Sequence, residues 1–249
     1  MSKKKILFAG ETWVVHTTEY KGFDYFTVSS YGEGVEWVRN AIVAAGYGFT
    51  HIPAHEVARS FPDTQEALSE YAAILVSDVG KNTFLLHPDT FFQSKPTRNK
   101  LSAIETYVAN GGAYGMIGGY MTFMGMDGRA GYHGTVIEDI LPVTMAACDD
   151  RVEEPEGFVP VVPRGENFWE GMPAEWPALL GYNRTVRKPG ARVLLERGAD
   201  PIIAVGEYGR GRTLAFATDC APHWAPPAFC EWTEYPTMWK RLLAWMTQE

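Results

Sequence analysis

The residues best suited to chemistry are a histidine and three carboxylates that follow short apolar runs. Asp219 and His223 come directly after the run 213–217, and a carboxylate beside a histidine tunes the imidazole for general acid or base work near neutral pH. Glu11 and Asp78 follow two other apolar runs in the same way. We predict that these four residues are catalytic. A capped turn around a buried histidine is the alternative interpretation of the Asp219–His223 pair.

Seven aromatic, amide, imidazole or glycine residues lie near the same run ends and are predicted to contact a ligand. They are Trp13, His16, Asn82, Gly118, Gly119, Tyr120 and Trp224. Gly118 and Gly119 close an uncharged run, which predicts a sharp strand-to-helix elbow that presents Tyr120. Tyr120 could donate a hydrogen bond to a ligand, or it could simply fill the crevice.

The elements that position these residues alternate between strand and helix in the first half of the chain. Strands are predicted at 5–9, 49–53 and 72–77 and before Gly118, helices are predicted at 34–45 and around Leu101, Ile104 and Val108, and a long loop is predicted at 78–95. This alternation is typical of an α/β fold with a doubly wound, mostly parallel sheet. Ligands of such sheets bind beyond the carboxyl ends of the strands, where the candidate residues lie.

In the second half, short β-like runs are separated by Pro and Gly. Antiparallel strands are predicted at 159–162, 191–195 and 202–205, a hairpin turn at 207–212, and a last strand at 213–217. An amphipathic helix is predicted at 235–246, with Pro236 in its first turn. No low-complexity linker interrupts the chain, so residues 1–249 are expected to form a single domain.

Composition and charge exclude several classes of protein. The net charge of −8, without a basic cluster, argues against nucleic acid as a partner. The uncharged stretch 106–126 is rich in Gly and is interpreted as sheet core and not as a membrane span. The apolar run after Lys5 is too short for a signal peptide, so a cytoplasmic location is expected.

Three scattered cysteines, Cys148, Cys220 and Cys230, indicate reduced thiols and not a disulfide framework. Cys220 could be a nucleophile, although inert packing is the favoured interpretation.

Two further clusters invite a metal assignment that the sequence does not favour. The run 149–154 is dense in carboxylates, but a solvated loop is the preferred interpretation. His51 and His55 have the spacing of a zinc helix, yet Pro53 between them breaks that helix. Phosphate-loop, dinucleotide and serine-esterase motifs do not occur. No metal and no cofactor are expected.

Several short motifs, taken together, carry a resemblance to a known family. They are Gly10-Glu-Thr-Trp13, Lys21-Gly-Phe-Asp24, Pro53-Ala-His55, the run 77–86, the run 118–125, Asp149-Asp-Arg-Val152, Gly181-Tyr-Asn183 and the run 219–224. The chain resembles the class I glutamine amidotransferase-like superfamily, and within it a bacterial group of cytoplasmic GATase1-like proteins. The resemblance implies a flavodoxin-like sheet with a crevice at the elbow.

The resemblance does not imply glutaminase activity. Glutaminases of this superfamily attack the amide with an elbow cysteine, whereas Tyr120 stands in that region here. His223 falls near the family's histidine position, but the matching His-x-Glu is missing. A tyrosine with a pKa near 10 cannot replace a thiolate at neutral pH.

Three hypotheses for the function remain open. The leading one is non-covalent acid–base chemistry on a small polar metabolite in the strand-end crevice. The second is a module that binds or senses such a metabolite without converting it. The third is a structural, oligomer-forming subunit, because related domains act as assembly modules in larger sugar-processing enzymes. A homo-oligomer is expected, with neither nucleic acid nor membrane as a partner.

Overall fold

The computed structural model describes residues 3–249, in which strands and helices alternate along the first half of the chain. The strands are β1 (Lys5–Gly10), β2 (Thr12–Lys21), β3 (Asp24–Glu33), β4 (Gly48–Ile52), β5 (Ala73–Ser77), β6 (Ala113–Ile117), β7 (Val143–Met145), β8 (Arg151–Phe158), β9 (Leu179–Asn183), β10 (Thr185–Arg187), β11 (Arg192–Arg197), β12 (Asp200–Tyr208) and β13 (Gly211–Phe216). The helices are α1 (Glu36–Ala44), α2 (Val57–Ser60), α3 (Gln65–Leu68), α4 (Lys81–Leu85), α5 (Pro88–Gln93), α6 (Lys100–Ala109), α7 (Val136–Ile140), α8 (Pro227–Cys230) and α9 (Tyr235–Met246).

A seven-stranded sheet forms the centre of the protein, in the order β11-β12-β13-β6-β5-β1-β4. The five strands from β13 to β4 run parallel to their neighbours, and β12 and β11 extend the sheet antiparallel. The prediction of an α/β fold with a mostly parallel sheet and added antiparallel strands is therefore confirmed. The hairpin turn between β12 and β13 and the closing helix α9 also form as predicted.

Apolar side chains cover both faces of this sheet. Along β1, Phe8 packs on the face covered by α1 and α9, whereas Leu7 packs on the opposite face, which α6 covers. Alternate residues of a strand point to opposite faces, so a wholly apolar strand is buried on both sides. The carboxyl ends of the parallel strands therefore meet at one fixed edge.

An antiparallel ribbon of β2 and β3 leaves the sheet immediately after β1, and sequence analysis did not predict it. The two strands pair only with each other, from Thr12 opposite Glu33 to Lys21 opposite Asp24, and Gly22 at the turn has a φ of +69°. Nearly every residue of the ribbon is exposed. We call residues 12–33 the arm.

Three other predicted segments differ from the structure. The loop predicted at 78–95 contains the short helices α4 and α5. The strand predicted at 159–162 is absent, because Pro160 and Pro163 cannot donate to a ladder, and only Val161 forms an isolated bridge. The run 149–154 is not a solvated loop, because most of it lies in β8, and Asp150 before that strand is buried.

The uncharged stretch 106–126 forms the end of α6, strand β6 and the loop that follows. Between residues 3 and 249, every helix is too short or too polar to cross a membrane.

Candidate active site

A cavity of about 270 Å³ lies at the carboxyl ends of the central parallel strands. Its lining includes all four predicted catalytic residues and two of the predicted ligand contacts: Glu11, Trp13, Asp78, Tyr120, Asp219, Pro222 and His223. Residues separated by up to 212 positions in the sequence meet here because β1, β5, β6 and β13 are neighbours in one parallel sheet.

Glu11 and Asp78 reach the cavity from strained backbone positions. Both are non-glycine residues with positive φ, 55° at Glu11 and 51° at Asp78, and each directly follows its strand. Such a conformation costs about 1–3 kcal/mol and persists only where the surrounding structure enforces it. Strain of this kind clusters at functional sites, so it favours a functional role for the two carboxyl groups.

The elbow after β6 is built around Gly119 and not around Tyr120. Gly119 has a φ of +148°, and a Cβ atom there would lie 2.2 Å from Oδ1 of Asp78. Tyr120 is absent from the positive-φ residues, so the strained angle of the turn belongs to the glycine. Residues 118–125, directly after β6, form no α-helix, so the predicted strand-to-helix elbow is a turn from the strand into a loop. The ring of Tyr120 nevertheless lines the cavity.

A buried amide that sequence analysis missed fixes the elbow. Asn183 accepts a hydrogen bond from the Gly119 N–H (2.9 Å) and donates from Nδ2 to the Gly119 carbonyl (3.1 Å). Nδ2 of Asn183 also donates to Oδ1 of Asp150 (2.9 Å), and the Asp150 carboxylate accepts from the backbone N–H groups of Met124 and Gly125. Asn183 was part of a motif used for family resemblance, but nothing in its spacing indicated this contact.

His223 and Asp219 form a hydrogen-bonded pair. Nδ1 of His223 lies 2.7 Å from Oδ2 of Asp219, which also accepts from the Trp224 N–H at 2.9 Å. Asp219 is 3% exposed, whereas the His223 side chain is 47% exposed, so the imidazole is the accessible member. The hydrogen bond to Asp219 raises the pKa of His223.

Burial and neighbouring negative charge raise the pKa values of both strand-end carboxyl groups, but by different amounts. Burial, with the charges of Asp78 and Asp219, raises the pKa of Glu11 to about 8. Burial and the charge of Asp219 raise the pKa of Asp78 to about 6. Glu11 therefore binds its proton more tightly than Asp78 does. A cavity that holds a neutral acid and a carboxylate can both donate and accept a proton.

Cys220 supports Glu11 from inside the protein. Its Sγ lies 3.7 Å from Oε2 of Glu11, the oxygen that also accepts a hydrogen bond from the Ser77 hydroxyl at 2.5 Å. Cys220 is fully buried, and burial raises the pKa of its thiol well above the ordinary range. A buried thiol in this state is a poor nucleophile, as the packing interpretation of the sequence predicted.

Two aromatic residues from the sequence prediction take different roles. The Tyr120 ring makes an edge contact with the His223 ring, with centroids 4.6 Å apart, and lines the cavity. Trp224 is buried behind His223, where its ring stacks at 5.4 Å and its Nε1 donates to Glu153 (2.9 Å). The Tyr120 hydroxyl donates to the same Glu153 carboxylate (3.1 Å), so β8 holds both aromatic residues.

The other predicted ligand contacts, like Trp224, lie outside the lining. His16 is on the arm, where its ring is hydrogen-bonded to the Ser29 hydroxyl (2.7 Å). Asn82 is exposed on α4. Gly118 and Gly119 are also absent from the lining. Neither admits a side chain, because a Cβ on Gly118 would lie 2.4 Å from the Ala217 carbonyl oxygen and one on Gly119 would lie 2.2 Å from Oδ1 of Asp78. Across residues 3–249, no three His, Cys, Asp or Glu side chains are arranged to hold a metal ion.

The sheet and its strand-end cavity define an α/β protein of the kind that binds ligands beyond the carboxyl ends of parallel strands. The chain belongs to the family described as putative glutamine amidotransferase (GATase1-like), whose sequence profile matches residues 5–248. The resemblance inferred from the sequence motifs is thereby confirmed.

Three of the solved structures that are similar to this chain illustrate the relationship. A cytoplasmic protein from Salmonella typhimurium LT2 is 42% identical with a TM-score of 0.93, and 97% of this chain aligns with 99% of that one. A second cytoplasmic protein, from Salmonella typhimurium, is 40% identical with a TM-score of 0.92 over 97% of this chain and 98% of that one. A ThuA-like protein from Bacteroides uniformis shares the fold, with 14% identity and a TM-score of 0.55 over 96% and 89% of the two chains. No curated protein matches the sequence.

Proposed function

We propose that the strand-end cavity binds a small polar metabolite and performs acid–base chemistry on it without a covalent intermediate. The observation that carries the proposal is the 2.7 Å contact between His223 and Asp219 beside two strained carboxyl groups in one cavity. His223 is the accessible proton carrier, and Asp219 orients its ring. Glu11 and Asp78 are the second acid–base couple, because their pKa values differ.

The same geometry supports a protein without glutaminase activity. At the elbow, the position with positive φ is Gly119, and Asp78 fills the space that a side chain there would need. The nearest thiol to the carboxylates, Cys220, is enclosed, and its raised pKa keeps it protonated. Acyl transfer through a thioester needs an accessible thiolate, so membership of the family reflects shared ancestry of fold.

The lining also limits the charge of the ligand. It contains three carboxyl groups and one histidine but no lysine or arginine. An anionic ligand would face uncompensated negative charge, which costs free energy in a partly enclosed site. We therefore propose a neutral or cationic metabolite with groups that donate hydrogen bonds, held between the rings of Trp13 and Tyr120.

A receptor that binds the metabolite without converting it is the second candidate. Glu11 accepts a hydrogen bond from the Ser77 hydroxyl, and Asp78 accepts one from the Met121 N–H (2.9 Å). The protein therefore already fixes both carboxyl groups. Fixed carboxyls suit recognition as well as proton transfer.

We also propose the type of sheet, the number of domains and the cellular location of the protein. The parallel strands β4-β1-β5-β6-β13 stand in the order 2-1-3-4-5 among themselves, which supports a flavodoxin-like sheet. Two apolar layers on one shared sheet support a single domain. The two Salmonella relatives are cytoplasmic proteins, which supports the same location here.

The test is thermal melting of wild type, His223→Ala and His16→Ala against neutral and cationic metabolites, sugars, glutamine and divalent metals. A ligand at a hundred times its Kd should raise the melting temperature of wild type and of His16→Ala by about 5 °C. The rise should be smaller in His223→Ala, because that variant loses a cavity-lining group. Incubation with the stabilising compound then separates the candidates, since an enzyme forms product and a receptor does not. Equal stabilisation of all three proteins by every hit would refute the cavity as the site.

A further inference from the structure

The arm presents a large apolar surface, much of which no other part of residues 3–249 covers. Nine large apolar side chains on it are between 43% and 106% exposed: Trp13, Val14, Val15, Tyr20, Phe23, Tyr25, Phe26, Val28 and Tyr31. They occur on both faces of the ribbon, because neighbours in each strand point to opposite sides. An isolated two-stranded ribbon is at best marginally stable in water. Exposed apolar surface of this extent marks an interaction site.

The size of this surface matches that of a stable protein interface. A fully exposed large aromatic side chain offers about 150–250 Å², so these nine residues together expose on the order of 900 Å². A standard interface buries about 800 Å² on each partner. The arm alone therefore supplies enough area for one side of a specific protein complex.

The charge of the arm limits the kind of partner. One lysine, Lys21, stands among Glu19, Asp24 and Glu33, so the arm is slightly acidic on a chain of net charge −8. Nucleic acid and anionic lipid surfaces require clustered basic residues, which leaves a protein surface. The outer edges of β2 and β3 also carry backbone groups that pair with no other strand among residues 3–249, and such edges pair readily with another chain.

We propose that the arm packs on a second copy of this chain and makes the protein a homo-oligomer. In a twofold assembly the same patch is used on both subunits, so two arms together bury about the area of a standard interface. Such a contact covers apolar side chains of both arms and can also pair one open strand edge of each arm.

The base of the arm ties this contact to the cavity. Trp13 lies in the second position of β2 and lines the cavity, and Gly32 pairs with it on β3. A Cβ atom on Gly32 would lie 2.6 Å from the Trp13 indole, so the two strands hold this ring closely. A partner that orders the arm therefore also fixes one wall of the cavity.

Light scattering coupled to size exclusion, over a wide range of protein concentration, tests the proposal. Wild type should run with at least twice the mass of the chain. In the first variant, residues 14–31 are replaced by Asn-Gly, which joins Trp13 to Gly32 through a two-residue hairpin turn. The second variant combines the three substitutions Tyr20→Ser, Phe23→Ser and Tyr25→Ser. Both should run as monomers, and the far-ultraviolet circular dichroism spectrum of the second variant should match that of wild type.

The control is a double variant that combines Val43→Ser and Val186→Ser. It removes exposed apolar side chains outside the arm and should keep the wild-type mass. A monomeric wild type, or arm variants that keep the wild-type mass, would overturn the proposal. This measurement requires no ligand, so its outcome is independent of the chemistry assigned to the cavity.

Discussion

The cavity and the arm begin at adjacent residues, Glu11 and Thr12, yet they are stabilised in opposite ways. Around the cavity, polar groups are buried and each is held by several protein contacts, as Asn183 shows with its bonds to Gly119 and Asp150. In the arm, apolar groups are exposed and the pairing of two strands is the main restraint. Changes in the cavity should therefore affect the folding of a single chain, whereas changes in the arm should affect association.

Asn183→Ala should have the largest effect on stability. It removes the side chain that forms hydrogen bonds with both Gly119 backbone groups and leaves buried polar atoms without partners, which costs about 1–3 kcal/mol for each group. We expect the free energy of unfolding to fall by roughly 4 kcal/mol in a urea titration. The matched arm variant is Ser29→Ala, which loses an exposed bond to His16 and should change stability by less than about 0.5 kcal/mol. Equal losses in the two variants would contradict the comparison.

Gly119→Ala and Gly22→Ala compare two glycines with positive φ. At Gly119 the new methyl group would lie 2.2 Å from Oδ1 of Asp78, so overpacking adds to backbone strain and the expected loss is roughly 3 kcal/mol. At Gly22 no atom lies within 4 Å of the new methyl group, so only strain remains, about 1 kcal/mol. Thermal melting of both variants is the measurement. A loss at Gly22 as large as that at Gly119 would show that the contact with Asp78 carries no cost.

Glu11→Gln compares the cavity with the arm through the pH dependence of stability. The pKa of Glu11 is raised from 4.5 to about 8 in the folded protein, so the folded state binds the proton more tightly than the unfolded state. The stability that this proton contributes is complete below about pH 4.5 and is lost as the pH rises through about 8. Glutamine resembles the protonated acid and does not titrate, so the variant does not lose this stability as the pH rises.

We therefore expect the stability of Glu11→Gln relative to wild type to increase by roughly 4 kcal/mol between pH 5 and pH 8.5. Urea titrations at both pH values give this difference. Glu19→Gln, on the exposed surface of the arm, is the control and should show no such trend. A flat difference for Glu11→Gln would mean that burial does not raise the pKa of this residue.

The strand-end residues were predictable because they combine a local pattern with a general rule of topology. Glu11, Asp78 and Asp219 each follow an apolar run, and parallel strands that are buried on both faces bring such positions to one edge. The helix at 235–246 was predictable for a similar reason, because its apolar spacing is local and long enough to be unambiguous.

The arm and the support of the elbow were not predictable in the same way. The arm has strand-forming residues, but its side chains are exposed on both faces, so no inside–outside alternation marks it. Asn183 contacts the elbow across 64 residues of chain, and Asp150 contacts Gly125 in the following loop across 25 residues. A hydrogen bond over such a separation leaves no periodic pattern. The same holds for Glu153, which joins Tyr120 to Trp224.

The sequence by itself determined the α/β class, the edge of the sheet at which polar side chains collect, and the family, because these depend on local patterning and shared motifs. Only the tertiary structure decided which of those side chains line the cavity, which residue carries the strain of the elbow, and that residues 12–33 project from the body. The physical reason is that burial, pKa and backbone strain at one residue depend on neighbours that are distant in sequence. Those neighbours are fixed only when the sheet is assembled.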